Sequence, residues 1–394
     1  MSGVILVLNC GSSSIKFALF DAATDIARTP RLHGKVDGVT EPEATLTSQG
    51  YSQALILGRE QPYHHALTHI ISHVERYLAD ERLVAVAHRV VHGGTRYTSP
   101  VLVDAAVLAD LRSYIPLAPL HQPFALEAME ILLSLDPVPP QIACFDTAFH
   151  HTLPDVERML PLPWSAWERG LRRYGFHGLS YEYQSIVLAE RYGDAARGRT
   201  IIAHLGSGAS LCAMQNLRSV ATTMGFSALD GLMMGTRCGA LDPGALLYLM
   251  EIDKLSPAEL GRQLYHESGL LGVSGHSADP RALLEVENSN AQARAALALY
   301  IRRIVREIGA LVAVLGGLEM LVFTAGVGEH NATIRQRICQ GFAYLGLAID
   351  DEANGQHAYL VSTSDSRVKV AVEPSNEEWV AACKAANMLP HLSG

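Results

Sequence analysis

A two-domain α/β fold is what this sequence predicts, and three segments predict it. Residues 4–20 read as strand, Gly/Ser turn, strand, with apolar arms and a turn of small hydroxyl residues. Residues 201–213 repeat the pattern, and Gly11 and Gly206 lie about half the chain apart. Residues 320–329 form a third apolar strand ending in a glycine-rich turn, and a helical pattern follows over 332–345. Two matching hairpins in two halves predict a duplicated fold with a phosphate held between them.

The turns also carry the first chemistry. Asn9, Gly11, Ser12, Ser13, Ser14 and Lys16 put backbone and hydroxyl donors and one cation on a short loop. A phosphate needs such donors with no bulky Cβ in the way. A serine-rich turn taken alone is equally an ordinary hairpin. The second copy favours the phosphate, and a strand feeding a glycine turn and a helix start suits the anionic or ribose end of a nucleotide.

The remaining elements alternate between the two periods. Leu67, Ile70, Ile71, Val74 and Leu78 share a helix face, as do Val107, Leu108 and Leu111. Strands are expected over 83–87, 141–145, 200–203, 321–324 and 368–372. Prolines at 154, 161 and 163 crowd the transition after Phe149, where the first half ends. The longest helical pattern, 291–315, is interrupted by Arg302, Arg303, Arg306 and Glu307, so it is a packed helix and not a membrane span.

Composition narrows the function. With 394 residues, two domains can each bury a core. A net charge of −9 argues against non-specific nucleic-acid binding. An anion would therefore need local cations, and Arg89, Arg172, Arg173 and Arg237 lie beside the glycine-rich blocks. Six scattered cysteines form no metal or redox motif and read as free thiols of a reducing cytosol. His64, His65, His69 and His73 have helical spacing, yet no neighbouring acid completes a metal site. The first residues carry no basic and apolar leader pattern, which reads as cytoplasmic.

Nine blocks in order give the chain a resemblance. They include Asn9-Cys-Gly-Ser-Ser-Ser-Ile-Lys16, His88-Arg-Val-Val-His-Gly-Gly94, Phe145-Asp-Thr-Ala-Phe-His150, Arg173-Tyr-Gly-Phe-His-Gly178 and Ala203-His-Leu-Gly-Ser-Gly208. Gly231-Leu-Met-Met-Gly-Thr-Arg237, Phe323-Thr-Ala-Gly-Val-Gly-Glu329 and Pro374-Ser-Asn-Glu-Glu378 follow. The chain resembles the acetate kinase family, within the superfamily of sugar kinases, heat-shock-cognate chaperones and actin. The resemblance implies two ribonuclease-H-like domains of the actin-like ATPase type with an active-site cleft between them. The domains would be 1–149, with a terminal helix of about 382–394 packing back on it, and 150–381. It implies reversible, Mg²⁺-dependent phosphoryl transfer from ATP to acetate, giving acetyl phosphate and ADP, with Mn²⁺ able to substitute. It further implies a homodimer with no nucleic-acid or membrane partner.

That chemistry has clear requirements. The acceptor carboxylate is already an anion, so no strong base is needed; the difficulty is bringing it to a triphosphate. By resemblance, Arg89 and Arg237 bind the acid and the moving phosphoryl group, Asp146 orients metal or phosphate, and His177 and Arg237 stabilise the transition state. Asn9 and Glu377 are the metal-associated residues, although Glu377 is equally a favourable first-turn acid of a helix capped by Ser375 or Asn376. Val91, Leu120 and Phe176 wall the acyl pocket. Ser12, Ser14, Lys16, His204, Leu205, Gly206, Ser207 and Gly208 hold phosphates, with His121 in support. Asp279, Pro280, Arg281, Gly326, Val327, Gly328 and His330 belong to the adenosine side. An aspartyl-phosphate intermediate is chemically possible, but direct in-line transfer is the reading preferred.

The chain departs from the family pattern at four places. Ser207 and His330 stand where asparagine is usual, Pro280 stiffens its loop, and Ala228 replaces a proline of the acyl pocket. A wider pocket at 228 leaves a propionate or other short-chain carboxylate kinase as the near alternative. A sugar kinase would want an aspartate base and a polar pocket. A nucleotide switch of the actin or chaperone kind would make no acyl phosphate.

Overall fold

The computed structural model describes residues 3–41, 43–58, 60–119, 121–134 and 138–392. The chain divides into two units, Met1–Phe149 with Asn376–Gly394, and His150–Ser375. The whole of the last helix, Glu377–Leu392, therefore belongs with the first unit.

The first unit is built on one sheet. Its strands are β1 (Val4–Cys10), β2 (Ser14–Asp21), β3 (Leu32–Asp37), β4 (Ala44–Ser48), β5 (Tyr51–Leu55), β6 (Leu83–Val90), β7 (Val101–Leu102) and β8 (Gln141–Phe145). Their order is β5-β4-β3-β2-β1-β6-β8-β7. The hairpin partners β1, β2 and β3 run antiparallel, whereas β1, β6 and β8 run parallel. Alternation along the strands decides the packing. Val4, Leu6 and Leu8 of β1 and Ile15, Phe17 and Leu19 of β2 join Leu67, Ile70 and Val74 of the helix Pro62–Leu78 in one core. On the last helix, Asn376 caps the start by accepting from Trp379 N–H, and donates to Arg28 O at 2.9 Å. The Trp379 indole donates to Ile26 O at 2.8 Å.

The second unit repeats the central pattern. Its strands are β9 (Thr200–Leu205), β10 (Ala209–Gln215), β11 (Arg218–Thr222), β12 (Met320–Thr324) and β13 (Lys369–Val372), in the order β11-β10-β9-β12-β13. Directions match those of β3-β2-β1-β6-β8: antiparallel across the first three, parallel across the last three. The long helix spans Ala291–Leu315, as its periodicity predicts. Asn290 caps its start, and Gly316 ends it in the left-handed conformation that a Cβ would oppose. Among the described residues, no helix is long and apolar enough to cross a membrane.

One expectation changes in the glycine-rich segment after β12. It is not an open turn but a short helix, Ala325–His330, followed by a second helix, Ala332–Gln340. Long-range contacts override the glycines' weak helix propensity. Glu329 accepts from Ala325 N–H at 2.7 Å and from Ser375 N–H at 3.0 Å. Arg335 is fully buried and donates to the carbonyls of Gly328 and Glu329, to Asn354 O and to Asn354 Oδ1 at 2.7–2.9 Å. Burial pushes its guanidinium down to about 10, so it remains charged at neutral pH. Arg335→Ala leaves several buried acceptors unmatched and is expected to cost about 3 kcal/mol or more. Arg335→Lys recovers little, because an ammonium cannot reproduce the planar fork. Urea unfolding checks this: an unchanged midpoint in Arg335→Ala would remove the role.

Candidate active site

In the first unit, the strand ends bring one cation to two acids. Arg89 is the second-last residue of β6, and Asp146 follows β8 directly. Their parallel pairing puts the two side by side: Arg89 Nε lies 3.2 and 3.1 Å from Asp146 Oδ1 and Oδ2, and NH2 lies 2.7 Å from Oδ2. Arg89 Nε also lies 3.4 Å from Glu377 Oε2, and NH1 donates to Asn9 Oδ1 at 3.3 Å. Four chain segments thus meet at one guanidinium. Burial works against its charge, but the carboxylates of Asp146 and Glu377 outweigh that and raise its pKa. Glu377 moves the same way for the opposite reason. Burial and neighbouring Glu378 raise its carboxyl pKa, against the pull of Arg89 and Lys16.

The adjoining hairpin is as the sequence predicts. Gly11 N–H donates to Ser14 O at 2.8 Å, closing the turn, and Tyr63 OH donates to Gly11 O. Ser12 and Lys16 are exposed, Ser14 is half-buried, and Lys16 pairs with Asn9 across β1 and β2. Val91 is half-buried just past β6, and His121 is half-buried at the start of the helix Gln122–Leu133. Leu120 lies outside the described residues. Asn9 and Glu377 offer hard oxygen donors on one guanidinium, a donor set that fits Mg²⁺ completed by water and phosphate oxygens.

In the second unit, space decides the geometry. The turn Gly206–Ser207–Gly208 links β9 to β10, with Ser207 exposed and Leu205 buried. A Cβ at Gly208 would stand 3.0 Å from His177 Nε2 and 3.8 Å from an Arg237 nitrogen. A Cβ at Gly206 would stand 3.8 Å from His204 Nε2. Two imidazoles and one guanidinium thus converge on a turn kept bare by glycine. His177 adopts φ +57° at the cap of the helix Gly178–Tyr192, an unusual conformation for a residue with a Cβ. The Arg237 loop is tied to the short helix Gly269–Ser274 through Ser268, Leu270 and Leu271 N–H groups, which donate to Thr236, Met234 and Gly235 carbonyls. Gly269 permits this approach, since a Cβ there would fall 2.2 Å from Met234 O. Arg237 NH1 donates to Ala228 O at 3.2 Å, and Phe176 is buried beside His150, whose Nε2 lies 2.9 Å from Phe176 O.

Other predicted residues are placed as follows. Asp279 caps the helix Pro280–Val286 by accepting from Arg281 N–H, and Arg281 closes back on it with NH2 at 2.6 Å. Gly326 and His330 are exposed on the short helix after β12, Val327 is half-buried and Gly328 is buried. Arg172 and Arg173 make internal contacts. Arg172 stacks 3.7 Å over Trp167, and Arg173 NH1 donates to the carbonyls of Thr222, Thr223 and Met224. His65 accepts from Gly58 N–H and His73 stacks on Tyr51. No group of three or more His, Cys, Asp or Glu suited to a metal occurs among the described residues. The sequence reading missed Ser180, Tyr181 and Ser210, buried hydroxyls behind the two histidines, because only the fold brings them there.

Known proteins resemble this chain over nearly its whole length. The model of the acetokinase family matches residues 4–383. An acetate kinase of Rhodopseudomonas palustris is 48% identical over 400 residues, covering 97% of each chain. One from Methylocella silvestris is 42% identical over the full length of both. Among solved structures, Porphyromonas gingivalis acetate kinase superposes with a TM-score of 0.88 at 35% identity, covering 98% of this chain and 100% of that one. A propionate kinase from Francisella tularensis gives 0.89 at 32% identity, covering 97% and 98%. With a family model spanning nearly its whole length and full-length relatives above 40% identity, this chain belongs to the acetokinase family.

Proposed function

We propose that the protein is an acetate kinase, transferring the terminal phosphoryl group of ATP reversibly to acetate to give acetyl phosphate and ADP. The observation that carries the chemistry is the arginine-centred cluster of Arg89, Asp146, Glu377 and Asn9. Arg89 is placed to hold the acid, and Asn9 and Glu377 would hold the metal. Asp146 is 1% exposed and both its oxygens accept from Arg89. A carboxylate so engaged is a poor nucleophile, which supports direct in-line transfer over an aspartyl-phosphate intermediate. The bare turn at Gly206–Gly208 suits phosphate oxygens, with His177, His204 and Arg237 supplying donors and charge as negative charge shifts. Mg²⁺ at Asn9 and Glu377 would neutralise phosphate charge when bound. Val91, Leu120, Phe176 and Ala228 are the acyl-pocket residues in this reading, and Asp279, Arg281, Gly326, Gly328 and His330 the adenosine side.

The decisive measurement is acyl hydroxamate formation by purified protein with ATP, Mg²⁺ and acetate, propionate or butyrate. Acetate should be preferred over propionate by roughly tenfold, since one methylene is worth only a few kcal/mol. Product from propionate alone favours the propionate kinase reading, and no product from any acid defeats both. Arg89→Lys and Arg237→Ala should each lower kcat/KM by about 10²-fold or more. Arg89→Lys keeps a charge beside Asp146 while losing the fork, so its loss reports on recognition more than on folding.

The raised carboxyl pKa of Glu377 gives a pH dependence with a definite sign. Metal needs the carboxylate, so protonation competes with it. The Mg²⁺ concentration for half-maximal rate should rise as pH falls from neutral, and EDTA should abolish activity. In Glu377→Gln the requirement should be higher throughout and lose that slope. A metal titration unchanged by pH and by this substitution would leave Glu377 only its helix-start role.

A second copy of the chain is the partner proposed, in the cytoplasm. The helix Pro243–Glu251 reads PGALLYLME yet buries none of its residues. Leu247 and Tyr248 are each 57% exposed and Ile252 60%. Apolar area of this kind, gathered on one element, calls for cover. Light scattering should give a dimer, and Leu247→Glu with Tyr248→Glu a monomer. A wild-type monomer with full activity would end this proposal.

A further inference from the structure

His177 and His204 stand face to face, with ring centroids 4.1 Å apart and planes 16° from parallel. Each turns Nδ1 toward a hydroxyl: His177 to Ser210 Oγ at 2.8 Å, and His204 to Ser180 Oγ at 2.9 Å. Behind each hydroxyl stands another. Tyr181 OH lies 2.5 Å from Ser210 Oγ, and Ser375 Oγ lies 3.4 Å from Ser180 Oγ. Ser180, Tyr181 and Ser210 have no exposed surface. The opposite edge of each ring, at Nε2, faces the glycine turn. Two parallel hydroxyl chains therefore run to the two rings, and both rings reach the same turn.

The direction of hydrogen bonding along these chains matters. A hydroxyl has one hydrogen to give, and a neutral imidazole carries its hydrogen on only one nitrogen. A phenol is more acidic than an alkyl hydroxyl and so is the better donor. When Tyr181 donates to Ser210, Ser210 has its hydrogen free for His177 Nδ1. When Ser375 donates to Ser180, Ser180 has its hydrogen free for His204 Nδ1. Nearby His150 shows the same pattern with a fixed sense. Its Nε2 faces Phe176 O, which can only accept, so Nε2 bears the hydrogen and Nδ1 accepts from Ser219.

We propose that Tyr181, Ser210, Ser180 and Ser375 are positioning residues that hold His177 and His204 as Nε2–H tautomers, so that both rings donate toward phosphoryl oxygens at the Gly206–Gly208 turn. The reverse tautomer would aim a lone pair at those oxygens and repel them. The assignment of this purpose rests on the phosphoryl-transfer reading, while the tautomers themselves are a property of the free protein.

The test uses the full-length protein labelled with ¹⁵N-histidine, assigned with His177→Gln and His204→Gln. Long-range ¹⁵N–¹H correlation should show pyridine-type Nδ1 and pyrrole-type Nε2 on both rings. Pyrrole-type Nδ1 on either ring overturns the proposal for that ring, whatever substrate the enzyme takes. In steady-state kinetics, Ser210→Ala should lower kcat by about 10²-fold while KM values stay within about twofold. Ser210→Thr, which keeps the hydroxyl, should restore most of the rate, and Tyr181→Phe should show a mixture of tautomers. Unchanged kcat in Ser210→Ala, or failure of threonine to rescue it, would reduce Ser210 to packing. Absence of kinase activity in the wild type, with the expected tautomers, would defeat the functional reading and leave the tautomers standing.

Discussion

The guanidinium of Arg89 is what the first unit's site depends on. Two carboxylates, one almost without exposure, sit within hydrogen-bonding or ion-pair reach of it. Without a cation between them they would repel, and burial would penalise both charges. Arg89 satisfies Asp146 through two donor groups and leaves Glu377 only partly compensated. In the proposed kinase, that imbalance is what a divalent cation at Asn9 and Glu377 would relieve. A second arginine would fill the space, whereas a metal would supply charge and leave positions for water and phosphate.

The second unit solves the matching problem by leaving space empty. Its turn carries no carboxylate, and its important feature is the absence of a Cβ at Gly208, where His177 and Arg237 come close. His177 sits in a left-handed conformation to arrive there, and buried hydroxyls hold the ring once it has arrived. Charge organises one unit, while close approach and oriented neutral donors organise the other.

Much of this was legible because it is local. The two hairpin turns are encoded by contiguous Gly and Ser, and the long helix by its periodicity and by Asn290 and Gly316 at its ends. The glycine segment after β12 misled because its helix is held by Arg335 and Glu329, contacts that no propensity records. Arg172 and Arg173 show that an arginine beside a glycine block can also brace carbonyls or stack on tryptophan, contacts that only the fold reveals. Arg89 and Asp146 lie far apart in sequence, and only parallel pairing of β6 with β8 makes them neighbours. Family resemblance singled them out; the sheet explains why they meet.

The repeated topology sharpens that explanation. Asp146 follows β8, and Glu373 follows β13, the corresponding strand of the second unit. Their backbones are seated alike: Asp146 N–H donates to Val90 O and Glu373 N–H to Phe323 O, each at 3.0 Å. Both acids are buried, and both are neutralised by an arginine. The arginines come from different places. Arg89 rises from the adjacent strand, so its pair lies at the strand ends beside Asn9 and Glu377. Arg191 comes from the helix Gly178–Tyr192, and Glu373 accepts from Tyr192 OH as well, which ties helix to sheet. One repeated seat for an acid thus has two outcomes, and the element that supplies the cation decides between them. Where the cation stands at the end of a strand, the pair can meet a ligand; where it reaches in from a helix, the pair braces the fold.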